Sequence, residues 1–111
     1  MVKQKDRNKQ NSHPMIKHIV LFKLKEMTEK QAHLQELKNE LEKLTAIIPE
    51  LKELKVGLNA NPAESWDFCL EAVVADLQDL DVYAKHPAHQ AIVKSYIAPY
   101  KEERACVDYV C

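Results

Sequence analysis

Met15-Ile16-Lys17-His18-Ile19-Val20-Leu21-Phe22-Lys23-Leu24-Lys25 is the stretch that decides the fold. Successive side chains of a strand point to opposite faces. Ile16, His18, Val20, Phe22 and Leu24 therefore share one face, while Ile19 and Leu21 share the other between Lys17 and Lys23. Apolar residues on both faces predict a central strand covered on each side, with His18 turned the same way as Val20 and Phe22.

Downstream the period changes. Leu34, Leu37, Leu41, Leu44 and Ile48 recur at steps of three and four, the spacing of one apolar helix stripe. Glu36, Lys38, Glu40, Glu42 and Lys43 fill the outer face, with His33 placed among these exposed charges. Thr28-Glu29-Lys30-Gln31 has the form of a capping box at the helix start, and Pro49 closes the element.

Leu54-Lys55-Val56-Gly57-Leu58 predicts a second strand, in which Gly57, the only glycine of the chain, marks a bulge or a close approach. A turn-rich loop, Asn59 to Ser65, leads to a third strand from Trp66 to Ala75. Trp66, Phe68, Leu70, Ala72 and Val74 occupy one of its faces, and Cys69, Glu71 and Val73 the other. Glu71 is out of place in a covered run; strand-edge solvation or a partner across an interface accounts for it better than a catalytic role does.

Asp76 or Asp79 can cap a short helix carrying Leu77, Leu80 and Tyr83. His86 precedes Pro87, a position pushed away from helical angles, while Pro87 itself suits the first turn of a new helix. That helix runs from Ala88 to Ile97, Pro99 closes it, and Arg104 to Val110 alternates as a last strand.

The resulting order, β-α-β-β-α-β, is that of an α+β, ferredoxin-like protomer: a four-stranded antiparallel sheet with helices on one face. Because the other face is also apolar, a second copy of the chain is the simplest cover. A homodimer through the open sheet face is therefore expected.

Composition sets the outer bounds. At 111 residues, 46% hydrophobic and 30% charged, the chain is one soluble domain with a core. A net charge of -1 offers no bulk attraction to nucleic acid or a membrane surface, so neither is an expected partner. No run approaches the ~18 apolar residues of a membrane span.

Cys69, Cys106 and Cys111 form neither a close pair nor an even set, and read as reduced thiols of a cytoplasmic protein. Cys69 and Cys106 are expected to be buried, and Cys111 exposed. Residues 1–14, with Lys3, Lys5, Arg7 and Lys9 against Asp6, predict a disordered basic tail ahead of a domain over residues 15–111.

The opening strand Met15 to Lys25, together with Tyr83-x-x-His86-Pro87-x-His89, resembles the stress-responsive dimeric α/β-barrel domain family. Ile47-Ile48-Pro49 and Val107-Asp108-Tyr109 match that family's layout too, so the likeness covers Met15 to Val110. It implies a ferredoxin-like protomer in a homodimeric barrel. One plant member performs an aldol-type polyketide cyclisation without metal or cofactor. Its catalytic histidine corresponds to His89, its tyrosine partner to Tyr83, and a first-strand site histidine to His18; a fourth site histidine falls at Phe68 here.

His89 is thus a candidate general base, since imidazole is largely neutral near pH 7. Tyr83 is a candidate hydrogen-bond donor to a developing enolate oxygen. His18, Phe22, Phe68 and Leu70 are candidate ligand-binding residues. His86 reads as a helix-junction residue. His86 and His89 stand three apart without a carboxylate or cysteine at ligand spacing, Asp79 and Asp81 being distant donors, so no metal is expected on these side chains. The resemblance implies no cofactor and allows a hard cation held by backbone oxygens.

Two functions follow. The first is a non-catalytic barrel acting in stress tolerance or binding a small apolar or aromatic ligand. The alternative is a cofactor-independent cyclase, lyase or oxygenase that uses His89 and Tyr83 on an aromatic or polyketide-like substrate. A closed core around those two residues fits the first, and an open cavity of at least ~300 Å³ lined by both fits the second.

Overall fold

The alternating stretch forms β1, Ile16–Leu24, and it lies inside the sheet. The computed structural model describes residues 14–111, so the expected basic tail falls, except for Pro14, outside the described residues. The elements that follow are α1 (Lys30–Glu42) with a tight 3-10 turn over Lys43–Ala46, β2 (Leu51–Leu58), β3 (Phe68–Val74), α2 (Leu77–Lys85), α3 (Pro87–Ile92) with a wider π turn over Val93–Ile97, and β4 (Lys101–Val110). They build one antiparallel sheet in the order β2-β3-β1-β4, a ferredoxin-like arrangement.

The core lies between the helices and one sheet face. Val20, Phe22 and Leu24 of β1 and Phe68, Leu70, Ala72 and Val74 of β3 are buried against Leu34, Leu37 and Leu41 of α1 and the following Leu44 and Ile48. The leucine stripe read from the sequence is therefore the buried stripe of the helix. Among the described residues, the opposite face has no second layer. Ile19 and Leu21 are only half-buried there, and every residue of β4 is exposed, Val107 and Tyr109 among them.

Several local expectations are corrected. The helix starts at Lys30, not behind a Thr28 capping box: Glu29 takes the cap position in a left-handed conformation (φ 61) and no side chain caps the end. The start is held from outside instead. The Lys30 ammonium donates to the Leu24 carbonyl (3.0 Å) and pairs with Asp67 (3.2 Å), whose carboxylate also accepts from the Leu24 amide (2.7 Å). These Asp67 contacts pin the chain ahead of β3, which begins at Phe68 and not at Trp66.

Strands β2 and β4 reach three residues further towards the N-terminus than expected, and the register shift in β2 sits between Leu51 and Glu53, away from Gly57. Gly57 marks a close approach: a Cβ there would meet the Cys69 sulfur at 3.4 Å. Glu71 lies on an inner strand, not at an edge, and pairs with Lys17 of its own sheet at 3.8 Å. Cys106 is exposed, not buried, because β4 is an uncovered edge strand. His33 is not a surface bystander: it donates Nε2–H to the Tyr96 carbonyl (2.8 Å) and packs edge-on to Tyr100, tying α1 to the π turn.

Candidate functional site

The helical region over Leu77–Ile97 is what brings the histidines to the sheet. Asp76 caps α2 by accepting from the Asp79 amide (2.8 Å), which fixes where Tyr83 falls on the last turn. His86 then breaks the helix. Its extended backbone (φ -62, ψ 135) satisfies the pre-proline restriction, and its Nδ1 accepts from the Ala88 amide (3.0 Å), so its imidazole caps α3. His86 is committed to this joint. The restart at Pro87 turns His89 back over Tyr83, with ring centroids 4.5 Å apart and tilted by 44°.

The result is an open cavity of about 580 Å³ between α2, α3 and the sheet. It brings together His18, Phe22, Leu70, Tyr83 and His89. Phe68 is the exception. It is the direct cross-strand partner of Phe22, its ring stacks on Phe22 at 5.2 Å, and it does not border the cavity. Val20, Leu80, Val93 and Ile97 complete an apolar lining, with Lys101, Arg104 and Asp81 among the charged residues around it. Asp81 is already paired with Lys85 (3.1 Å).

Two groups in this cavity are unusual. Tyr83 is 1% exposed, and its hydroxyl has no hydrogen-bond partner among the described residues. Buried polar groups are almost always bonded, so this unpartnered hydroxyl stands out at the cavity wall. Burial also pushes its pKa well above the ordinary tyrosine range, which keeps the proton on the oxygen. His89 is the complement. Its Nδ1 lies 2.9 Å from the Ala84 carbonyl, and since a carbonyl only accepts, Nδ1 carries the hydrogen and Nε2 the lone pair. Burial, aided by the neighbouring His18 and His86 and opposed by the Ala84 bond, pushes the His89 pKa down, so the imidazole is neutral. A neutral imidazole therefore stands beside a protonated hydroxyl.

His18 enters from the sheet side. Its ring meets Tyr83 edge-on at 6.4 Å, and its Nδ1–H donates to Asp108 at 2.5 Å. The two are direct partners in the β1–β4 ladder, as are Val20 and Cys106. Cys106 Sγ consequently lies 3.6 Å from His18 Nδ1 and 3.8 Å from the Asp108 carboxylate. Sequence spacing did not disclose this trio, because only the strand register places residues 88 and 90 positions apart side by side.

Residues 16–111 match the model of the stress-responsive A/B barrel domain family. The chain belongs to that family. Among solved structures it resembles a dimeric, ferredoxin-like protein of unknown function from Bacteroides fragilis, at 43% identity and a TM-score of 0.82 over 87% of this chain and 96% of that one. A dimeric ferredoxin-like protein of unknown function from Thermobifida fusca follows at 30% identity and TM-score 0.77, covering 94% of this chain and 97% of the other. The hydroxynitrile lyase of Passiflora edulis shares the fold at 21% identity and TM-score 0.73, over 90% and 95% of the two chains. None of the curated proteins matches. The relatives described as dimeric and ferredoxin-like share the fold found here.

Proposed function

We propose that this family member is a homodimer that binds a small aromatic or polyketide-like carbonyl compound and performs cofactor-independent acid–base chemistry on it, as a lyase or cyclase does. The observation that carries the reading is the buried, unpartnered Tyr83 hydroxyl beside a neutral His89 in an open cavity. His89 Nε2 takes a proton from carbon next to the carbonyl, and the Tyr83 O–H donates to the carbonyl oxygen as it becomes an enolate. The proton then returns from the imidazolium to the product. Phe22, Leu70 and Val20 offer apolar surface for a ring or alkyl tail.

A closed, purely structural core fits less well, because it leaves no reason to bury a hydroxyl without a partner. The lyase likeness contributes only the fold to this argument. Dimerisation through the open sheet face is supported by exposed Val107 and Tyr109 beside half-buried Ile19 and Leu21, and by the dimeric relatives. Three free thiols support a reducing, cytoplasmic setting.

Benzoylacetone, an aryl 1,3-diketone, tests the chemistry directly. The wild-type protein is expected to bind it and to speed deuterium uptake at its central carbon, followed by NMR. His89→Ala abolishes the acceleration and Tyr83→Phe cuts it by about 100-fold, the scale of a lost oxyanion donor. Because burial depresses the His89 pKa, the rate falls at a lower pH than an ordinary imidazole base would give. Acceleration that survives His89→Ala refutes the assignment.

A further inference from the structure

We propose that His18, Cys106 and Asp108 form a binding site for a borderline-soft divalent cation of the zinc class, at the sheet wall of the cavity. The three offer an imidazole nitrogen, a thiolate sulfur and a carboxylate oxygen, all within 4.8 Å of one another. Tetrahedral zinc with bonds of about 2.0 Å to nitrogen and oxygen and about 2.3 Å to sulfur sets its ligand atoms roughly 3.3–3.5 Å apart. The sulfur already stands near that distance from both neighbours, at 3.6 and 3.8 Å. The His18 nitrogen and Asp108 oxygen, at 2.5 Å, need to part by under about 1 Å to admit the ion.

Two neighbouring strands hold the set in place. His18 and Asp108 are ladder partners and Cys106 lies two residues back on the same face of β4, so the backbone hydrogen bonds pre-order all three Cβ positions. This face looks into the cavity, opposite the one carrying Val107 and Tyr109, and remains open when the other sheet face is covered. The cavity leaves a fourth coordination position to water or a guest.

The donor types choose the ion. Calcium and magnesium favour all-oxygen shells, whereas thiolate with imidazole favours zinc and its transition-metal neighbours. On loading, the ion replaces the proton shared by His18 and Asp108, and the Cys106 thiol gives up its own. An ordinary His–Asp pair explains two of the three residues. It does not explain a thiol set within reach of both.

Cobalt(II), titrated into the reduced full-length protein, reads the site through its thiolate charge-transfer absorption. One equivalent per protomer is expected to produce the band, and zinc to bleach it. Cys106→Ser removes the band while Cys69→Ser and Cys111→Ser keep it. Asp108→Asn weakens binding by roughly tenfold or more, at least the loss that an outer-shell partner brings. His89→Ala keeps the band while losing deuterium exchange, which separates this site from the proposed acid–base chemistry. Absence of the band in wild type, its survival in Cys106→Ser or its loss in Cys111→Ser each overturns the proposal. Cys106 sits on an exposed edge strand, so its substitution spares the fold; should that variant nonetheless fail to fold, the Asp108→Asn titration decides.

Discussion

Replacing Tyr83 by Phe separates a working hydroxyl from a structural one. The side chain is 1% exposed and its oxygen lacks a partner among the described residues. A buried hydroxyl left unbonded costs about 1–3 kcal/mol of desolvation, and Phe removes that cost while keeping the ring. The ring's contacts with His18 and His89 do not involve the oxygen, so little packing is lost. Taking the lower end, because the residue borders a cavity, Tyr83→Phe should stabilise the protein by about 1 kcal/mol. For a domain of this size that raises the melting temperature by roughly 4–8 °C. Thermal and urea unfolding followed by circular dichroism, at equal protomer concentration, read the change. The same variant loses about 100-fold in diketone exchange, so stability and function move in opposite directions. A Tyr83→Phe protein destabilised by about 1 kcal/mol or more would show that the hydroxyl has a structural partner, and its role as a waiting donor would then be lost.

Two more perturbations probe the scaffold. Glu42 accepts from the Lys38 ammonium (2.7 Å) and the Val56 amide (2.9 Å), joining α1 to β2, so Glu42→Ala should cost about 1–2 kcal/mol in urea unfolding. Burial raises the Glu42 pKa, but the Lys38 and Val56 bonds outweigh it and hold the carboxyl below its ordinary value. A lowered folded-state pKa means the contribution is present above the unfolded value of 4.5 and is lost as pH falls through the folded one. Unfolding free energy measured down that range should fall more steeply in wild type than in the variant. Light scattering over a dilution series should give twice the protomer mass, and Val107→Lys on the open sheet face should shift it towards the protomer; a mass unchanged by that substitution removes the open face from the interface.

Much of this molecule was readable from one chain because its signals are local. The period-two stretch Ile16–Leu24 and the three-four spacing of Leu34 to Ile48 report which side chains meet water, and burial follows that pattern directly. Pro87 restricts His86 through bonded sterics, so the break between α2 and α3 needed no tertiary information. Helix initiation at Lys30 failed as a local inference because the Lys30–Asp67–Leu24 contacts, between residues far apart in sequence, replaced the expected cap. That Phe68 stands outside the cavity while its cross-strand partner Phe22 borders it was likewise beyond the reach of strand alternation, which puts each on its strand's core-facing side.

The family resemblance singled out Tyr83 and His89, but not the surroundings on which their proposed chemistry rests. Whether a hydroxyl is orphaned depends on every atom packed around it, and a histidine's tautomer depends on which nitrogen meets a carbonyl. The His18–Cys106–Asp108 cluster lies further still from sequence reach. A shift of the β1–β4 register by one residue would turn the β4 partners to the other face and disperse it. Sequence by itself determined the elements, their order and the residues able to do chemistry, because those rest on side-chain type and short-range sterics. Only the tertiary structure decided which of them meet, since hydrogen bonding and burial are settled by neighbours that the chain brings from far away.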